Sequence, residues 1–95
     1  MTRKELILRL CAESDEQTIK LLRDFPTIVR DLRVIDDYEE AYRRYQHKKI
    51  RAIRQRSRDF VLERYGIGVN TFYDIRKRVE WVLTNIDKAL SARNL

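Results

Sequence analysis

From Arg43 to Arg58 the sequence runs RRYQHKKIRAIRQRSR, eight Lys/Arg and one His with no carboxylate. Cations at that density attract polyanions, phosphodiester backbones above all, and displace their counterions on contact. An exposed helix normally interleaves both signs, because like charges one turn apart repel. Something anionic must therefore meet this run. The candidates for phosphate contact are Arg43, Arg44, Lys48, Lys49, Arg51, Arg54, Arg56 and Arg58 within it, and Arg64, Arg76 and Arg78 beyond it. The competing reading is a solubilising surface, paired in part with Asp36, Asp37, Glu39 and Glu40. A second set follows at Asn70, Thr71, Tyr73, Asp74 and Lys77. These types can read base edges in a major groove: Asn suits adenine, Lys suits guanine and Asp accepts from cytosine. The Asp needs a nearby Arg to offset its repulsion from phosphate.

Other chemistry lacks its residues. The chain has no glycine-rich phosphate loop and no paired nucleophile and base, so no enzymatic activity and no cofactor are expected. One Cys, Cys11, excludes an internal disulfide, and one His, His47, leaves no His/Cys zinc site. Cys11 is expected to pack on an apolar helix face. Asp36, Asp37, Glu39 and Glu40 form an acidic cluster, but adjacent helix positions point apart, so it reads as a surface compensating the basic run. Tyr38, Tyr42 and Tyr45 share one helix face, either as a half-buried packing ladder or as a platform for single-stranded bases.

The elements that position these groups centre on Ser57–Val79, SRDFVLERYGIGVNTFYDIRKRV. Ser57 suits an N-cap. Phe60, Val61 and Leu62 give the first helix an apolar face. Gly66, one of only two glycines, suits the left-handed residue that ends a helix, and Gly68 or Asn70 can cap the next from about Val69. Phe72, Ile75, Val79, Val82, Ile86 and Leu90 then recur every three or four residues, an inward face running to about Ala92. Trp81 falls off that face and is expected against the first two helices or at a subunit contact.

This stretch resembles the helix-turn-helix of DNA-binding proteins: Tyr65-Gly66-Ile67 at the turn, then Thr71 before Phe72, with Ile75 three residues on. The wording YGIGVNTFYDIRKRV is most similar to phage and mobile-element transcriptional regulators, including late-gene activators related to region 4 of sigma factors. The resemblance covers about a quarter of the chain. Leu62 and Gly68 depart from it, where a small residue and a Ser or Thr are usual. It implies a recognition helix over about 69–80 and duplex DNA as the partner, with RNA as a further possibility.

The remainder predicts an all-α chain. Two glycines and one proline leave few breaks, and 43% hydrophobic residues suffice for a modest core. Short helices are expected over 3–12, with Leu6, Ile7, Leu10 and Cys11 inward, and from a capping box at Ser14–Gln17, with Ile19 and Leu22 inward. Pro26 is expected to open a third helix. No breaker separates Thr27 from Gly66, which predicts one long helix, or two joined near Asp36-Asp37; such a length either folds back through a break or packs against a second copy of the chain, and the second is favoured. Ile28, Leu32, Ile35, Tyr42, Tyr45, Ile50 and Ile53 form its stripe.

Residues 1–40 carry seven Lys/Arg against ten Asp/Glu, and residues 41–95 fourteen against five, within a net charge of +6. One folded unit is expected, with an acidic helical part for packing, oligomerisation or a protein partner, and a basic part for nucleic acid. Apolar runs such as Leu6-Ile7-Leu8 are far too short for a membrane span or leader, and a cytoplasmic location is expected. The functional expectation is a DNA-binding transcriptional regulator acting as a homodimer or higher oligomer. The alternatives are a DNA-packaging or recombination accessory protein and, in another class, a helical adaptor whose basic face binds an acidic protein.

Overall fold

Local donor–acceptor matches set the helix starts. Thr2 caps α1 (Arg3–Ala12) in a complete capping box, its hydroxyl accepting from Glu5 N–H at 3.1 Å. Asp15 caps α2 (Glu16–Asp24), accepting from the N–H groups of Gln17 and Thr18 at 3.0 Å each. The Thr18 N–H, above all, holds the Asp15 carboxyl below its usual range. The helix thus starts one residue later than the expected box implies. The computed structural model describes residues 2–13, 15–45 and 49–93. Ser14, His47 and Lys48 lie outside the described residues, as do the side chains of Ile50, Ile86 and Leu90 and the last two residues.

The chain is all-α, with α3 (Ile28–Arg44), α4 (Ile50–Tyr65) and α5 (Val69–Arg93) completing five helices, and no strand occurs among the described residues. Pro26 does not open α3. It sits in a turn closed by Ile28 N–H to Phe25 O at 3.0 Å, where its fixed φ fits the second turn position. The long-helix expectation fails too. The break falls at 45–49, not at Asp36-Asp37. Two physical reasons favour it. As one continuous helix, Arg43, Arg44, Lys48 and Lys49 would crowd four like charges into about two turns. A continuous rod also could not bring the stripes of α3 and α4 to one core. Folded back, α3 packs along α4 and also meets α1 and α5.

The core collects Leu6 and Leu10 from α1, Ile28, Leu32, Val34 and Ile35 from α3, Val61 from α4, and Phe72, Ile75, Val79 and Val82 from α5. Burying such a side chain contributes about 1.5–3 kcal/mol. Two inward assignments and one cap are corrected. Cys11 is exposed. Ile19 is 42% exposed, and on α2 the buried residue is Thr18, whose hydroxyl donates to Asp15 O. Ser57 is no N-cap: it lies inside α4, fully buried between Ile53 and Val61 at four-residue spacing. Its small side chain lets α4 approach α3 closely, and Lys49 precedes the helix without a side-chain cap.

The α4–α5 turn is Gly66-Ile67-Gly68. Gly66 takes φ 62° and ψ 39°, and its N–H and that of Ile67 both reach Leu62 O. A Cβ at Gly66 would meet no atom, yet the left-handed conformation itself costs a side chain about 1–2 kcal/mol. Ile67 and Leu62 are both half-buried, the apolar partnership that accompanies this helix ending. Gly68 O then accepts from Phe72 N–H at 3.0 Å, opening α5.

One polar contact crosses the core. Asp31 is only 1% exposed, and its carboxylate accepts from Thr27 Oγ1 at 3.1 Å, Arg30 Nη2 at 3.0 Å and Arg78 Nε at 3.1 Å. It ties the middle of α5 to the start of α3.

Candidate nucleic-acid interface

Phe72, Ile75 and Val79 point α5 into the core, which turns the opposite side outward. Asn70, Tyr73, Asp74 and Lys77 follow at i, i+3, i+4 and i+7, so they share one face. All four are exposed, as is Thr71. None is covered by α1 or α2. The five base-reading candidates thus stand on or beside the outer side of one helix, in its first turns.

The basic residues separate into three groups. Arg44, Arg64 and Arg78 are held by acids: Arg44 by Glu40 at 3.1 Å, Arg64 by Asp37 at 3.5 Å and Arg78 by Asp31. Arg78 therefore docks α5 and is not an unengaged phosphate ligand. A second group, Arg43, Arg51, Arg54, Arg58 and Arg76, lines a cleft of about 1030 Å³ between the end of α3, the start of α4 and the start of α5. Lys49 and Arg56 form the third group, exposed outside the cleft wall, with Arg56 6.0 Å from the centre of the Tyr45 ring.

The acids expected to neutralise the basic run are engaged largely from elsewhere. Arg3 of α1 pairs with Asp36 and Glu39. Arg64 and the Tyr65 hydroxyl take Asp37. Burial, and then this hydrogen bond, push the Tyr65 phenol up to about 12. Among the described residues of the run, Arg44 alone reaches the acidic cluster, and Arg58 meets Asp59 at 3.6 Å. No ion pair among the described residues involves Arg43, Lys49, Arg51, Arg54 or Arg56.

The tyrosines divide similarly. Tyr38 is packing: its ring lies 5.2 Å from Phe72 and 5.7 Å from the Arg76 guanidinium. Tyr42 and Tyr73 line the cleft, Tyr73 being 42% exposed, with its hydroxyl 3.4 Å from Arg58 Nη1. Sequence reasoning missed Gln55 and Tyr42 as walls of a basic cleft, and Asp31 as the anchor of α5. The spacing of Arg51, Arg54 and Arg58 carried a signal for the first. A lone Asp in an apolar stripe carried one for the second.

Trp81 is 55% exposed, its ring 5.3 Å from Phe25 beside the start of α3. No group of three or more His, Cys, Asp or Glu among the described residues could hold a metal ion, and no described helix is long and apolar enough to cross a membrane. Comparison of the chain with protein-family models, curated proteins and solved structures found no match.

Proposed function

We propose that this chain is a DNA-binding transcriptional regulator that reads duplex DNA through α4, the glycine turn and the first turns of α5. The observation that carries the reading is the outward face of Asn70, Tyr73, Asp74 and Lys77, adjoined by arginines of which, among the described residues, only Arg58 meets an acid, Asp59 at 3.6 Å. A major groove admits one α-helix, and helix-turn-helix proteins read bases with the early residues of the second helix. Lys77 suits guanine and Asn70 adenine, with Thr71, Tyr73 and Asp74 beside them. Arg43, Arg51, Arg54, Arg56, Arg58 and Arg76 hold phosphates, which orient the protein without reading sequence. A homodimer of such a module reads two half-sites about 34–36 Å apart. The α1–α2 end, whose residues do not line the cleft, is the surface for a protein partner.

Gel shifts of two variants test this division of labour after selection of a preferred site. Lys77→Ala lowers affinity by about 1–3 kcal/mol at that site and little on random duplex. Arg54→Ala with Arg56→Ala weakens all sequences alike and flattens the logarithmic salt slope by about 1.8 for two lost phosphate contacts. Loss of sequence preference alone in both variants contradicts the assignment. No shift on any duplex at low salt favours an adaptor that binds an acidic protein.

A further inference from the structure

The cleft beside the reading face has features that a duplex-binding surface does not need. It is a concavity of about 1030 Å³ walled by three helices, with tyrosine rings beside its arginines. We propose that this cleft holds an unpaired stretch of nucleic-acid strand, with its phosphates along the α4 arginines and its bases against Tyr42 and Tyr73.

Arg51, Arg54 and Arg58 stand at i, i+3 and i+7, one stripe that rises about 10 Å along α4 and is longer than a single phosphate needs. Arg51 and Arg54 have neither an ion pair nor a hydrogen bond among the described residues, and both are exposed. Arg58 is more constrained. Its Nε is buried without a hydrogen bond, 3.6 Å from the Asp59 carboxylate, while Nη1 makes a long contact to the Tyr73 hydroxyl. A buried donor of that kind costs free energy unless a ligand meets it. Glu39 is the acid in the wall, and Arg3 holds it from α1, so its charge is offset away from the cleft.

The aromatic groups supply what a simple anion site lacks. Every base has a π-face, so stacking on tyrosine favours unpaired bases without selecting their sequence. A paired base hides that face within its stack. Tyr38 is held between Phe72 and Arg76, and the Tyr42 ring, 6.3 Å from Tyr38, and the Tyr73 ring, edge-on to Phe72 at 5.6 Å, carry the aromatic surface into the cleft. The inference goes beyond the duplex reading and does not rest on it, because Asn70, Asp74 and Lys77 lie outside the cleft wall.

The test is fluorescence anisotropy of a fluorescein-labelled oligodeoxythymidine with the full chain. Wild-type protein binds it. Tyr42→Ala weakens binding by about 5- to 150-fold, the range for one lost base stack, and Tyr42→Phe retains it. Tyr42 is half-buried, so circular dichroism checks that variant's fold. Arg51→Glu with Arg54→Glu, at exposed positions, abolishes strand binding whether or not Tyr42→Ala folds. Lys77→Ala leaves it unchanged, which separates failure here from failure of the duplex reading. Three outcomes overturn the proposal: oligonucleotide binding that survives Arg51→Glu with Arg54→Glu, inorganic tripolyphosphate competing as well as the oligonucleotide at equal phosphate, or thymidine monophosphate binding as tightly as the strand. The last two would make the cleft an anion sink or a free-nucleotide site.

Discussion

Replacing Arg30 and Arg78 together by methionine is expected to lower the unfolding free energy by about 3–5 kcal/mol, because it strips the buried Asp31 carboxyl of both its charge partners. Both guanidiniums reach the carboxylate within 3.1 Å, and the Thr27 hydroxyl alone would remain. Arg78→Met by itself should cost about 1.5–3 kcal/mol, the range for hydrogen bonds to charged groups. The two effects should not add, since the arginines share one partner. Urea denaturation followed by circular dichroism measures all three variants. The loss is large against the roughly 5–15 kcal/mol by which small domains are stable. A double variant within about 0.5 kcal/mol of wild type, the scale of ordinary surface changes, would show that Asp31 does not tie α5 to α3. The consequence is functional as well. Arg78 fixes the rotation of α5 about its axis, and hence the direction in which Asn70, Tyr73 and Lys77 point.

Raising salt from 50 to 200 mM is expected to reduce affinity for duplex DNA by roughly 10³–10⁵, the effect of about six to ten phosphate contacts. The arginines assigned to phosphates, with Lys49 beside them, supply that number. Of these arginines only Arg58 meets an acid among the described residues, Asp59 at 3.6 Å. Asp36 and Glu39 pair with Arg3, and Asp37 with Arg64. Had the basic run served only to solubilise the chain, these acids would be its partners. Fluorescence anisotropy on random duplex across that salt range provides the measurement. A slope near zero would mean that the arginines remain solvated and take no part in binding.

Local conformational chemistry was the most legible part of the sequence. Gly66 ends α4 in the left-handed region and α5 starts at Val69, because a glycine's freedom at positive φ depends little on distant contacts. The inward stripe at Phe72, Ile75, Val79 and Val82 follows from helical period alone. Features settled by tertiary packing were not legible. The break at 45–49 contains no proline or glycine; it arises because two apolar stripes must share one core. Ser57 has the character of a cap, yet close approach of α3 and α4 places it inside a helix. Its polarity also masks the inward line Ile53-Ser57-Val61. With that line hidden, the outward stripe of Arg51, Arg54 and Arg58 is not legible in the sequence. Asp31 escaped notice because a charge at a core position is explained only by Arg30 and Arg78, and Arg78 arrives from a distant helix. Folding α3 back onto α4 also removes the long helix whose length suggested packing against a second copy.

Backbone amide NMR during titration with duplex DNA at low salt tests most directly whether the outward side of α5 enters the groove. Shifts should concentrate at Asn70–Lys77 and along the start of α4, with α1 and α2 little changed. Perturbations confined to α1 and α2, or none at any duplex concentration, would contradict the assignment of this face to DNA.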